Sequence, residues 1–124
     1  MTIEKDLAPG EVALHIDEQR YVLRLRMAEI ERFEDNLGVG IFDVFSKFMP
    51  SSDKRASSIE VRSLLKYGLV GGGMEDRKAD NLINSVPVGK LTDMYSAASV
   101  LLVETLTADK EAEFSVEEPG GPKG

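Results

Sequence analysis

The chain of 124 residues (13.6 kDa) is 42% apolar, enough for one domain that buries roughly two-thirds of its unfolded surface. It holds no cysteine, which excludes a disulfide framework, thiol catalysis and thiolate metal sites. A net charge of −7 and a pI of about 4.7 speak against nucleic acid as a partner, because phosphate contacts with a basic face supply most of that affinity.

At the start of the chain, Met1 to Asp6 lacks the basic segment and apolar run of a secretory leader. The longest apolar stretch, Ala97 to Val103, is far short of the ~20 residues that cross a bilayer. The expectation is a soluble, cytoplasmic protein with no membrane contact. Residues 1–10 read as a flexible lead-in closed by the turn pair Pro9-Gly10. In 11–17, Val12, Leu14 and Ile16 alternate with Ala13 and His15; in 20–26, Tyr21, Leu23 and Leu25 alternate with Val22, Arg24 and Arg26. A period of two predicts a pair of strands. Turning at Asp17-Glu18-Gln19 places both apolar rows on one face and the arginines on the other.

From Met27 the period becomes helical: Met27, Ile30, Phe33, Glu34 and Leu37 form a stripe, and Gly38 suits a left-handed helix end. Ile41, Val44, Phe45 and Phe48 make a second stripe, stopped by Pro50. A hairpin cannot bury its own apolar face, so these helices are expected to cover it. After a polar loop over 49–58, Ser57 and Glu60 have capping-box spacing for a third helix carrying Ile59, Val61, Leu64, Leu65 and Leu69. Gly71-Gly72-Gly73 ends it and reads as a flexible joint. A shorter helix over 75–84 carries Ala79, Leu82 and Ile83; Pro87 then suits the first turn of a last helix at about 88–107, with Leu91, Met94, Tyr95, Ala98, Leu101 and Leu102. Residues 108–124 bring Asp109, Glu111, Glu113, Glu117 and Glu118 with only Phe114 and Val116 as anchors, which predicts a disordered acidic tail.

Groups that could do chemistry are few. His15, the single histidine, has Asp17 two residues on, the arrangement of a general base oriented by a carboxylate; the plainer reading is an exposed strand histidine. Glu29, Glu31, Glu34 and Asp35 could hold a hard cation, yet Arg32 among them is what a solvated helix face would carry. Glu34 stands apart on the inner stripe, where it could cap, or pair with Arg24 and lock helix to sheet. No Gly-Lys-Ser/Thr follows the glycine triplet and no strand precedes it, so it is no phosphate loop. Arg20, Arg24 and Arg26, like Lys54 and Arg55, have acids nearby and read as solvated faces. No catalytic residue, metal or cofactor is expected. The remaining feature is the cluster Phe42, Phe45, Phe48 and Met49 beside the polar loop, which is either core or, with Met94 and Leu101 of the last helix, an adaptable partner-binding groove.

The hairpin with Tyr21-x-Leu23-Arg24, the helix Ile30-x-x-x-Glu34, the junction Leu37-Gly38-Val39-Gly40-Ile41 and Tyr67-Gly68-Leu69 before Gly71-Gly72 together resemble a family of small tail proteins of gene transfer agents and tailed phages. The resemblance runs from Glu11 to about Leu106; the polar loop at Pro50–Arg55 and the acidic tail depart from it. It implies a tail assembly chaperone that keeps the long tape-measure protein soluble while tube subunits polymerise around it; the family has also been described as a tail tube protein. The physics is compatible, since such a binder needs an apolar groove, an acidic exterior and no chemistry.

The expectation is therefore an α+β domain over 11–107, a β-hairpin followed by about five helices, acting without catalysis on the tape-measure protein and its tail-tube partner in the bacterial cytoplasm. Its hairpin edge and apolar patch permit a homo-oligomer. The alternatives are a structural tail tube subunit, a small regulatory interaction domain, and an acid–base enzyme using His15.

Overall fold

In the computed structural model residues 1–5 and 7–117 are described, with side chains described as far as Ala108. Strands β1 (Thr2–Glu4), β2 (Glu11–Ile16) and β3 (Gln19–Arg24) form an antiparallel sheet in that order. Helices α1 (Met27–Leu37), α2 (Ile41–Lys47), α3 (Ser58–Gly71) and α4 (Asp76–Ser85) follow, then a 3-10 turn at Val88–Lys90 and α5 (Leu91–Glu117). The α+β class, sheet first and five helices after, is as the sequence patterning predicts. The expected acidic tail falls, from residue 109 on, outside the residues whose side chains are described.

One expectation needs correction. The lead-in contributes a strand, β1, with Ile3 opposite Leu14 and Glu4 opposite Ala13. Three residues are too few for a period of two to show; what fixes them is tertiary, with Met1 and Ile3 packed against the core. In the hairpin, Val12 faces Leu23 and Leu14 faces Tyr21, so the apolar rows share one face. Pairing of Ile16 with Gln19 leaves a two-residue turn at Asp17-Glu18, entered through Asp17 at φ 56°, a left-handed conformation that short polar residues tolerate.

Helix ends follow local chemistry. Gly38, at φ 67°, closes α1 and donates its N–H to the Glu34 carbonyl. Ser57 and Glu60 form the reciprocal capping box of α3: Glu60 N–H donates to Ser57 Oγ (3.1 Å) and Ser57 N–H to Glu60 Oε1 (2.8 Å). At the head of α1, Glu29 is buried and its carboxylate accepts from Arg26 N–H (2.9 Å), Nε (2.9 Å) and Nη2 (2.7 Å). These Arg26 hydrogen bonds hold the Glu29 carboxyl below its ordinary value against the opposing effect of burial. Glu34 does cap, but its partner is the Ile41 N–H of α2 (2.8 Å) and not Arg24.

Helix α3 is the hub, touching β3, α1, α4 and α5. Its stripe is Val61, Leu64, Leu65, Gly68 and Leu69, all buried, whereas Ile59 lies off it and is exposed. Tyr67 is buried too; Asn36 donates to its hydroxyl, and Arg32 and Lys66 approach its ring within 5.1 and 5.0 Å. A Cβ at Gly68 would stand 2.9 Å from Leu101 and 3.0 Å from Leu23, so sheet, α3 and α5 meet there with no room for a methyl.

The glycine triplet is not the joint the sequence suggests. A Cβ at Gly71 would meet the backbone carbonyl of Arg24, its carbon at 2.9 Å and its oxygen nearer still; one at Gly72 would meet the carbonyl of Val22, its carbon at 2.8 Å. The end of α3 thus lies directly on the outer edge of β3 and covers carbonyls that an added strand would need. Gly73 alone serves the turn, at φ 114°. The rest of that edge, around Arg20, faces a cleft of about 520 Å³ walled by Met74, Glu75 and Lys78.

Candidate functional site

Helix α2 has the sequence Ile41-Phe-Asp-Val-Phe-Ser-Lys47. At 100° per residue, Ile41, Val44 and Phe48 face one way, and Phe42 is turned away from them. Accordingly Ile41, Val44 and Phe48 are buried, while the Phe42 ring is 72% exposed. The helix is held at both ends. Glu34 caps its first turn, and Lys47 Nζ reaches Glu60 Oε2 at 2.8 Å, tying its last turn to the start of α3. Burial pushes the Glu60 carboxyl up, but Lys47 and the Ser57 N–H outweigh it and hold the group below its ordinary value. The Phe48 ring lies 4.8 Å from that of Tyr95, linking α2 to α5.

Next to this contact is a groove of about 220 Å³ lined by Ala56, Ser58, Val61, Leu91, Thr92 and Tyr95. Val88, 87% exposed, stands one turn before Leu91. A shallow, mostly apolar groove without a buried charge can take an apolar side chain from a partner helix or strand and offers little to a polar substrate.

The structure divides the residues expected to bind a partner. Phe42 is exposed, and Phe45 and Met49 are half-buried, so these three remain accessible. Phe48, Met94 and Leu101 are a correction: they are 8%, 2% and 0% exposed and belong to the core beneath. An i, i+3, i+4 apolar stripe is the signal of burial, and it says nothing about which burying partner is intra- or intermolecular. The groove residues Ala56, Leu91 and Tyr95 come from two segments distant in sequence, the entry to α3 and the start of α5, and no local period marks them as one surface. Met27, expected on the inner stripe of α1, is 69% exposed at the first helical position.

On the outer sheet face, His15 Nε2 meets Glu4 Oε1 at 2.9 Å and Arg20 Nε meets the same oxygen at 3.3 Å. The carboxylate beside the histidine is therefore that of Glu4, on β1, and not that of Asp17. Hydrogen bonds from His15 first and Arg20 second hold the Glu4 carboxyl below its ordinary value. The cluster staples three strands across an exposed face. Among the described residues no group of three or more His, Asp or Glu side chains is placed to hold a metal ion.

A protein-family model described as "Phage tail tube protein, GTA-gp10" matches residues 9–108, from the turn before β2 to the last described side chain of α5. No curated protein and no solved structure gives a match.

Proposed function

The chain belongs to the phage tail tube protein, GTA-gp10, family, and from that premise we propose that it acts as a non-enzymatic tail assembly chaperone that binds the tape-measure protein. The observation that carries this reading is the covered edge of β3. A tube wall made by continuing a sheet from subunit to subunit needs two open edges on each subunit. Here Gly71 and Gly72 occupy one edge, and the other is the three-residue β1. Five helices follow the sheet, and the accessible apolar features, Phe42 and the groove by Leu91 and Tyr95, suit an amphipathic helical segment. A tape-measure protein is a long, largely helical chain that exposes such segments until the tube encloses it. The negative net charge of −7 keeps the complex dispersed. In this reading the protein works in the cytoplasm of the bacterial host and contributes no catalytic group.

A second reading, a subunit retained in the tube, is favoured by the family's own description. Co-expression with the tape-measure protein of the same locus, followed by size-exclusion chromatography with light scattering, separates the two. A tape-measure protein that is soluble with this chain and precipitates without it supports chaperoning. Unchanged tape-measure solubility, together with this chain in purified particles at a stoichiometry of tube rings, refutes it and establishes the tube subunit.

A further inference from the structure

The register of the hairpin fixes which backbone groups of β3 point away from β2. Ile16 and Gln19 close a two-residue turn, so they exchange hydrogen bonds, and in alternation so do Leu14 with Tyr21 and Val12 with Leu23. Arg20, Val22 and Arg24 are out of phase with these and turn their N–H and C=O groups to the free edge. The end of α3 agrees with this parity, since Gly72 lies on the Val22 carbonyl and Gly71 on the Arg24 carbonyl. Left uncovered are the Arg20 N–H, the Arg20 carbonyl and the Val22 N–H, none of which is bonded by a turn or loop among the described residues.

The cleft of about 520 Å³ opens on these groups. Tyr21, Leu69 and Met74 give it apolar walls, and its charged lining is Arg20 and Lys78 against Glu75. Arg20 is bonded through Nε alone, to Glu4, and 48% of its side chain is in solvent; Lys78 is exposed. On a chain of net charge −7, a cleft with more cations than anions favours an acidic occupant. The unpaired backbone groups favour an extended one, which satisfies them as an added strand does. Gly72 limits its length to about three residues, or about 10 Å. That is too short to continue a sheet from subunit to subunit, and enough for a short linear segment.

We propose that this cleft receives an extended segment of a partner protein, added antiparallel to β3, in which an acidic residue follows an apolar one. The acidic residue lies opposite Arg20: its N–H donates to the Arg20 carbonyl, and its carbonyl accepts from the Arg20 N–H. Opposed residues share a face, so its carboxylate stands beside the guanidinium, with Lys78 on the facing wall. The apolar residue before it lies opposite Tyr21 and turns to the apolar side of the cleft. The residue before that accepts from the Val22 N–H, and Gly72 then turns the segment away. This site uses neither Phe42 nor the groove by Tyr95, so it holds under either reading of function.

The test is titration of the ¹⁵N-labelled full chain with acetyl-Ser-Leu-Glu-amide to about 10 mM, a range suited to weak ligands, followed through backbone amide shifts. The largest shifts are expected at Arg20 and Val22, with smaller ones at Gly73 and Lys78. The same peptide N-methylated at its glutamate lacks the donor for the Arg20 carbonyl and should bind about tenfold more weakly. Acetyl-Ser-Leu-Lys-amide should bind several-fold more weakly than the glutamate peptide, and Lys78→Glu should narrow that difference. Lys78 is exposed on α4, and a melting temperature equal to that of the parent will show that the variant folds. Equal binding of the N-methylated peptide, or of the glutamate and lysine peptides, overturns the proposal. So do shifts centred on Leu91 and Tyr95 in place of Arg20 and Val22. Movement of the Arg20 and Val22 amides on concentrating the chain alone would assign the cleft to a second copy and overturn it as well.

Discussion

Substituting Gly71 by alanine sets two physical effects against each other, and the structure decides the sign. In a helix judged by propensity alone, alanine is better than glycine by roughly 1 kcal/mol. Gly71 is the last residue of α3, so propensity predicts a more stable protein. The added Cβ, however, would stand 2.9 Å from the carbonyl carbon of Arg24 and 2.9 Å from Glu29 Oε1. Carbon atoms rest at about 3.5–4.0 Å, so these contacts, and the nearer one with the Arg24 carbonyl oxygen, are steric overlaps. The obstacle is backbone, which has no rotamer to yield, so α3 must retreat from β3. That retreat also loosens Leu69 and Tyr67, both buried, and crowds the Glu29–Arg26 pair. Overpacking costs about 1–3 kcal/mol even where side chains can give way, so we take about 3 kcal/mol here and a net loss near 2 after the propensity gain. Urea unfolding followed by far-UV circular dichroism should show the midpoint falling by about 1 M, for an m-value near 2 kcal/mol/M. The control is Gly89→Ala, where nothing lies within 4 Å of the new Cβ and a gain of about 0.4–1 kcal/mol is expected. If Gly71→Ala leaves the midpoint unchanged or raises it, α3 does not press on β3 as described and the argument from the covered edge fails with it.

Other outcomes follow from the same contacts. Glu29 and Glu60 both have carboxyl groups held below their ordinary values, so their contribution to stability is complete above about pH 4.5 and lost as pH falls through the folded-state values. Thermal melts at stepped pH should be level near neutrality and drop in acid, and Glu29→Gln should flatten that drop; an acid limb identical to the parent would refute the assignment. Ser57→Ala removes one half of the α3 capping box and should cost about 1 kcal/mol in urea unfolding, whereas a change of less than a few tenths would show that Glu60 carries the cap alone. Phe42→Ser should alter stability by less than about 0.5 kcal/mol, because the ring is exposed, and should weaken capture of the tape-measure protein in a pull-down. Phe48→Ala, under the same surface, should cost about 3–5 kcal/mol by removing the contact with Tyr95; equal stability losses from both substitutions would contradict the division of α2 into a buried and an exposed side.

Much of this fold is legible because its signals are local. Gly38 needs only its own φ, Ser57 and Glu60 find each other across three residues, and the alternation in Glu11–Ile16 and Gln19–Arg24 meets at one register. What the sequence conceals depends on contacts between segments far apart. Glu29 looks like any surface glutamate until Arg26 and the end of α3 close over it, and Glu34 gives no sign that its partner is the Ile41 N–H. The glycine triplet reads as flexibility because composition cannot reveal that Val22 and Arg24 lie against it. The candidate surface suffers most. Apolar periodicity identifies what is buried, so it marks Phe48, Met94 and Leu101, which are core, and is silent on Phe42, whose departure from the stripe is what leaves it exposed.

The two readings of function differ in what they ask of α3. A subunit that joins its neighbours through a continuous sheet must offer two unlike edges, because a ring is a head-to-tail assembly. The β1 edge could supply one, with the backbone of a three-residue strand. The other would require the end of α3 to leave β3, exposing Leu23, now fully buried, and opening the junction at which Gly68 touches both Leu23 and Leu101. That rearrangement opens the core at its most crowded point, so an encounter between subunits would have to repay several buried side chains before its first added strand hydrogen bond. An assembly through helical surfaces, such as α2 on a partner, requires no such opening. The glycines that let α3 lie on the sheet edge therefore weigh on the functional question as much as on stability, by leaving helical surfaces as the ones through which this chain can assemble at low cost.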